Sequence, residues 1–479
     1  MRMEEYLEKL TDQIRCKLAR DPIHEELRCH MEDQRDAYME EGMTEEEAEE
    51  AAVLDMGDPV LTGTEFDRLH RPNMPWRMIG LIMIVSLIGF AMQYLVIAPN
   101  SDVVDFQRQF FLLLCGFAVM IAVCFADYSR IVPNAYWIYN FLYFSIVLLE
   151  KHWGVEVNGS AQWIYFGRWG IMIDQAMLTL LFVPVLAAEL CSIRGQGYLP
   201  FVGVSLVGLL MPMYLALRIP RISTAVVLFV SSGFLLYLTA GKGWFKIEKK
   251  WFQAVYWGGL AAGGGWILYK AVSESQTFTE FQRLFGLGGD ASYTTETLRK
   301  MIHGASWIGE GKVQGDDILS YSDYLLAFII SKYGIAVGLA VMGMILFLLI
   351  LLFRRSFAQK NESGMLIGVS CSMVFLAQIL LYLLSNLGII SAAGCCPFLT
   401  YGGSGIIVTS VLLGLLLSVF RYETVMSLFK KKSPQDYRME RKNAVSEEEK
   451  PWHQKRTEQI KIFLIVFVLL LFLIENGGR

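Results

Sequence analysis

Asp323 stands where a polar stretch gives way to an apolar run, in the segment YSDYLLAFIISKYG. A carboxylate at the start of an apolar helix can take a proton from a hydroxyl, contribute to a divalent-cation site, or cap the helix by facing the positive end of its dipole. Two other segments carry residue types that such chemistry uses. EVNGSAQWIYFGRWG, residues 156–170, is a Gly- and aromatic-rich turn with Trp163 near its centre. It suits an amphipathic headgroup, although an interfacial Trp also serves simply as an anchor. CCPFLTYGGSG, residues 395–405, brings Pro397 and the glycines 402, 403 and 405 to the start of an apolar run. Small residues there let backbones pack closely or line a cavity. The chain has no Walker loop, no dinucleotide fingerprint and no detectable internal repeat, which argues against nucleotide-driven transport by this chain alone. Its eight cysteines are scattered, and Cys16, Cys29, His24 and His30 lack the tight spacing of a zinc site.

The elements that must position these residues are membrane helices. Hydrophobic residues make up 54% of the 479 positions and charged ones 18%, more apolar than an ordinary soluble core requires. A window of roughly 19 residues predicts spans over residues 79–98, 110–126, 131–149, 173–193, 198–217, 222–240, 252–272, 324–353, 364–387 and 405–420. A shorter apolar run over 460–474 predicts an eleventh. The fold class expected is all-α, a polytopic membrane protein with about ten to eleven transmembrane helices behind a small N-terminal helical bundle. No cleavable signal peptide is visible ahead of the first span, so the N-terminus is expected in the cytoplasm. That orientation puts fifteen Lys and Arg in the short inner segments and five in the short outer ones, as the positive-inside rule demands. It also places the connections 151–170, 273–323 and 385–404 outside, and with them Asp323, Trp163 and the glycine cluster.

The first 71 residues are a different object: 9 basic and 21 acidic side chains give them a net charge of −12. Leu7, Leu10, Ile14 and Leu18, then Ile23, Leu27 and Met31, recur at helical spacing. Asp21 before Pro22, Thr44 with Glu47 three residues on, and Asp58 before Pro59 predict three helix starts. The expected organisation is an acidic cytoplasmic helical domain over 1–72, a ten-span membrane domain over 73–423, a charged cytoplasmic linker over 424–456, and an extra transmembrane helix over 457–479.

Several of these segments resemble known families. EEYLEKLTDQIRCK, EEGMTEEEAEEAAVLDMGDP and DRLHRP are similar to the permease prefix domain of bacterial membrane proteins. PFLTYGGSG resembles the PF(V/I)SYGGSS signature of the SEDS family, which comprises FtsW, RodA and SpoVE. NGSAQW resembles that family's N/KGAxRW segment with Trp163 on its tryptophan, and FQRLFGLGGDASYTTETLRK resembles its Gly-rich outer loop with Arg283 and Tyr293 in matching places. YSDYLLAF resembles HTDFIFAV, which puts Asp323 on the aspartate that the family needs for activity. The resemblance implies a peptidoglycan glycosyltransferase polymerising lipid II, an undecaprenyl-diphosphate-linked substrate, at the outer face of the bacterial cytoplasmic membrane. Asp323 would be catalytic, and Trp163, Arg283, Tyr293, Pro397, Tyr401, Gly402, Gly403 and Ser404 would bind substrate. It also implies a class B penicillin-binding protein as partner, contact with membrane lipid and none with nucleic acid. A divalent metal such as Mg2+ or Mn2+ stays open as a cofactor. The departures concern charge: Gln175 and Leu178 stand where the family has a glutamate and a lysine, Arg221 where it has an aspartate, and Ser331 and Lys332 where it has acids. A lipid-linked precursor flippase and a non-catalytic scaffold of a wall-synthesis complex are the alternative readings.

Overall fold

A computed structural model of the chain describes residues 2–15, 17–97, 106–157, 160–166, 171–218, 222–245, 289–311, 323–391, 395–400 and 402–423, with a few single positions between 258 and 282. The N-terminal segment, taken by itself, forms four helices: α1 (Met3–Asp12), α2 (Lys17–Glu40), α3 (Glu45–Asp55) and α4 (Pro59–His70). The apolar positions read from the sequence make its core, with Leu7, Leu10, Ile14, Ile23, Leu27 and Met31 all buried. Thr44 and Glu47 close the expected capping box at the start of α3, and Asp58 accepts from Val60 N at 2.7 Å to open α4. The start expected at Asp21–Pro22 is corrected, because α2 begins earlier and runs through Pro22. Ala19, Ile23 and Leu27 bury one continuous stripe at four-residue spacing, and that burial outweighs the disruption a proline brings near a helix start. Asp67, 4% exposed, then ties α4 to the end of α1 by accepting from Arg15 N at 2.8 Å and Arg15 Nε at 3.1 Å.

The rest of the described chain is a bundle of helices, most of them apolar. These are α5 (Trp76–Ile97), α6 (Phe106–Phe125), α7 (Ile131–Trp153), α8 (Gln175–Thr179), α9 (Phe182–Ser192), α10 (Tyr198–Arg218), α11 (Ile222–Gly241), α12 (Gly289–His303), α13 (Leu325–Tyr333), α14 (Ile335–Phe357), α15 (Glu362–Asn386) and α16 (Gly403–Arg421). Among the described residues nine spans are long and apolar enough to cross a membrane, with α8 and α9 forming one of them together. The chain is a multi-pass membrane protein. Its outward side chains fit that reading, since Phe111, Trp137, Phe141, Leu339 and Ile350 are each more than half exposed on spans, where lipid rather than water meets them. The expected seventh span lies almost wholly, and the eleventh entirely, outside the described residues.

The run over 324–353 is not one span, which is a second correction. Gly334, at φ +97°, separates α13 from α14. A Cβ there would sit 2.8 Å from both Ile308 Cα and Trp307 O, so the break needs glycine for its conformation and for its surroundings. Breaking a helix inside a membrane protein leaves backbone groups to satisfy. The segment 306–311 does this: Ile335 N donates to Ser306 O at 3.0 Å, Ala336 N to Trp307 O at 3.1 Å, and Gly309 N to Tyr333 O at 3.0 Å. Both ends of α13 touch the same end of the bundle, near Asn386 at the close of α15 and Leu95 at the close of α5. The short helix therefore lies across that end and does not begin a crossing.

The all-α expectation holds but for one small sheet after α7. Strands β1 (Gly154–Val157), β2 (Ser160–Phe166) and β3 (Ile171–Asp174) form an antiparallel meander in the order β1-β2-β3, with Trp163 opposite Asp174 and Ile164 fully buried. At the other end of the bundle, Glu362 is paired with Arg194 and with Lys242, which is 3.8 Å away, and both cations lie over the Trp244 ring at 4.9 and 5.6 Å. Helices α6 and α16 run parallel in close contact, and their final turns meet where Arg421 Nη1 donates to Phe125 O at 3.2 Å.

Candidate functional site

The end of the bundle that carries the sheet and α13 also carries those residues singled out in the sequence that are described. Asp323 is half-buried and directly precedes Tyr324, the N-cap residue of α13. The first amides of α13 find acceptors on α15: Leu326 N donates to Tyr382 Oη at 3.1 Å, and Ala327 N, which also donates to Tyr324 O at 3.0 Å, reaches Asn386 Oδ1 at 3.1 Å. Both acceptors sit in the last turns of α15 and are fully buried. Asn386 Nδ2 also donates to the main-chain oxygen of Asp323, at 3.4 Å. Capping of α13 thus rests on Tyr382 and Asn386, while Asp323 is held through its backbone at the helix entrance. Helix α12, which carries the exposed Tyr293, is fastened beside this corner by Arg299 Nε, which donates to Gly388 O at 2.7 Å just past α15.

Residues 395–400 form a tight turn ahead of α16. Thr400 N donates to Cys396 O at 3.1 Å and Cys396 N to Thr400 Oγ1 at 2.6 Å. Pro397 is buried within it, and Phe398 has a left-handed φ of +74°, a conformation that costs an L residue about 1–2 kcal/mol. The turn is held against α5. Gln93 Nε2 donates to Leu399 O at 2.8 Å, and a Cβ on Gly89 would lie 2.0 Å from Phe398 O, so only glycine admits this approach. Gly402, at φ +141°, precedes Gly403 and Ser404 in the first turn of α16. Between this turn, α5, α6 and α16 lies a cavity of about 50 Å³, lined in part by Ser86, Gln93, Gln109 and Thr409. It has room for a few water molecules. Gln109 donates to Gln93 Oε1 at 3.2 Å, and its own buried Oε1 has no partner among the described residues.

Trp163 belongs to a third cluster on the same end. Across the sheet it faces Asp174, which is 5% exposed and caps α8 by accepting from Ala176 N at 2.9 Å. Next in the chain is Gln175, whose Nε2 donates to Glu150 Oε2 at 3.0 Å. Strand β3 and α8 pack on α16, which joins this cluster to the glycine turn. The structure therefore gathers Asp323, Tyr293, Trp163, Pro397, Gly402, Gly403 and Ser404 at one end of the bundle. Arg283 and Tyr401 lie outside the described residues. Sequence reading missed Asn386, Tyr382, Gln93, Gln109 and Glu150. The available signal was amides and a carboxylate placed within or at the ends of apolar runs, where a polar group persists only with a partner. No group of three or more His, Cys, Asp or Glu residues converges among the described residues.

The profile of the FtsW/RodA/SpoVE family, described as "Cell cycle protein", matches residues 73–425. The chain belongs to the SEDS family. Among curated relatives, the protein named "Probable peptidoglycan glycosyltransferase FtsW" from Pseudoalteromonas translucida is 24% identical over 356 residues, covering 71% of this chain and 87% of its own. Its namesake from Thioalkalivibrio sulfidiphilus is 27% identical over 381 residues, covering 73% and 87%. The fold is shared with solved SEDS structures. A chain of a peptidoglycan synthase complex, reported for its structural coordination of polymerization and crosslinking, superposes with a TM-score of 0.60 at 21% identity over 73% of this chain and 98% of its own. The rod shape determining protein RodA of Thermus thermophilus gives 0.53 at 18% identity, over 73% and 97%. The four prefix helices precede the stretch that the family profile matches.

Proposed function

We propose that this SEDS protein is a peptidoglycan glycosyltransferase that polymerises lipid II at the outer face of the bacterial cytoplasmic membrane, with its N-terminus in the cytoplasm. The observation that carries the reading is the division of labour at α13. Tyr382 and Asn386 cap the helix, so helix capping does not account for a carboxylate at Asp323. In the reaction the 4-hydroxyl oxygen of one sugar bonds to the anomeric carbon of another, the bond from that carbon to the diphosphate oxygen breaks, and a polyprenyl diphosphate leaves. Asp323 takes the hydroxyl proton as general base, a contribution worth about a hundredfold or more in rate. Asn386 sets the position of Asp323 through its main-chain oxygen. Trp163, Tyr293, Arg283 and Tyr401, with the turn from Pro397 through Gly402, Gly403 and Ser404, bind the sugars, the diphosphate and the first isoprene units. A class B penicillin-binding protein is the expected partner, by analogy with the synthase complex that shares this fold.

The test uses the purified chain, with a candidate partner present, and fluorescent lipid II, comparing the parent with Asp323→Asn. The substitution nearly preserves size. Polymer formation should fall by about two orders of magnitude or more at an unchanged melting temperature. An Asn variant that polymerises near the parental rate overturns the assignment of Asp323. A parent that makes no polymer overturns the enzymatic reading in favour of a scaffold.

A further inference from the structure

An ion pair with a buried carboxylate lies on the sheet-bearing end of the bundle. Glu150, in the last turn of α7, keeps only 9% of its side chain exposed. Its two oxygens take different partners: Oε2 accepts from Gln175 Nε2 at 3.0 Å, and Oε1 lies 3.5 Å from Nη2 of Arg218, the last residue of α10. Gln175 is 1% exposed, and its Oε1 is buried without a hydrogen-bond partner among the described residues. Arg218 is different, since 41% of its side chain remains exposed. Three elements thus spend a buried carboxylate to fix one amide and one guanidinium. Burying a carboxylate for packing alone is a poor bargain, because an apolar residue of the same volume does as well or better. The arrangement makes sense if the groups it fixes are used. A guanidinium carries five donors in a planar fork, and Glu150 lies near only one Nη here. The 41% of the Arg218 side chain that stays exposed keeps further donors within reach of a ligand.

We propose that Glu150, Gln175 and Arg218 form an anion-receiving subsite for the diphosphate of a polyprenyl-linked ligand. Arg218 binds the phosphate oxygens, while Glu150 and the buried Gln175 are positioning residues that touch no ligand. The inference rests on the lipid-linked substrate class proposed above but not on turnover. It also accounts for two charge departures in the sequence. With a carboxylate already supplied by α7, a glutamate at 175 would set two like charges a hydrogen bond apart, and Gln175 replaces that repulsion with a donor. The cation missing at Leu178 is supplied from α10.

The test measures binding by the full chain in zwitterionic nanodiscs of two probes, undecaprenyl diphosphate and the uncharged undecaprenol, with inorganic pyrophosphate as a competitor. Arg218→Gln should weaken the diphosphate about ten- to a hundredfold, the value of one or two charge-assisted hydrogen bonds, and leave undecaprenol unchanged. Arg218→Lys should retain part of the selectivity. Glu150→Gln should lose selectivity too, and the double substitution Glu150→Gln with Gln175→Glu, which moves the carboxylate across the same hydrogen bond, should restore it. Competition by inorganic pyrophosphate should be weak, since it lacks the chain that anchors the ligand in the bundle. The proposal is overturned if Arg218→Gln lowers the melting temperature yet binds both probes as the parent does, or if the parent fails to prefer the diphosphate. A parent that binds the diphosphate through Arg218 but forms no polymer leaves this subsite standing and removes the polymerase reading alone.

Discussion

At the scale of single residues, the division between Asp323 and its neighbours explains what the sequence could and could not reveal. Asp323 was legible because a charge at the edge of an apolar run is conspicuous and because its surroundings match a family signature. Whether it caps the helix was not legible, since the answer depends on Tyr382 and Asn386, about 60 residues away in the chain and brought near only by packing. The same limit applies at Gly89, one apolar-run glycine among many until the carbonyl of Phe398 is seen against it. Gly89→Ala should push the turn over 395–400 away from α5, costing about 1–3 kcal/mol as overpacked substitutions do. Gly343→Ala in α14 is the contrast, because nothing lies within 4 Å of its notional Cβ. There, replacing a mid-helix glycine should be neutral or gain up to about 1 kcal/mol. Detergent-solubilised thermal unfolding of the two variants against the parent checks both signs.

At the scale of elements, hydropathy located the spans well and misjudged the two places where local geometry departs from a straight helix. Nine of the expected spans have their counterparts among the described helices, because a bilayer-length apolar run has few other stable forms. The run over 324–353 misled because mean hydropathy does not register one glycine. It is the positive φ of Gly334, and the carbonyls of Ser306 and Trp307 waiting for the amides beyond it, that turn the chain. The sheet was missed for a similar reason. A window of about 19 residues smooths over strands of four to seven, although WIYF and IMID carry the aromatic and branched residues that suit strands. Gly334→Val tests the break: a branched residue at φ +97° costs about 1–3 kcal/mol in backbone strain alone, before its clash with Ile308. The variant should lose thermal stability and, if the proposed function holds, turnover, because α13 carries Asp323 at its entrance. A variant as stable as the parent would mean that the break tolerates a side chain and does not fix the site.

At the scale of the whole molecule, the orientation of the bundle and the independence of the prefix are the claims to check. Single cysteines at Lys300 on α12 and Ala358 after α14, in a background without native cysteines, should differ in intact cells. An impermeant thiol reagent should label position 300 and not position 358. The reverse pattern would invert the topology and remove the site from the outer face. The prefix has its own core of Tyr6, Leu7, Leu10, Ile14, Ile23 and Met31, its own capping box and the Arg15–Asp67 clasp, and the family profile begins only at residue 73. Deleting residues up to His70 should therefore leave a membrane domain that extracts as a single monodisperse species. Aggregation across several detergents would show that the bundle needs the prefix to fold.

The pairing of α6 with α16 sets a timetable for making this protein. Their last turns bond across a sequence separation of 296 residues, so the second span to leave the ribosome finds its closest neighbour only when the final helix of the bundle emerges. At roughly 5–20 residues per second, that interval lasts about 15–60 seconds. For all of it, the face of α6 around Gly116, against which Ile406 and Ser410 will later pack, is open to lipid, to other nascent chains or to an insertase. A ribosome that stalls before residue 403 leaves a product with most of its spans inserted and this seam unclosed, the kind of species that membrane quality control is placed to recognise.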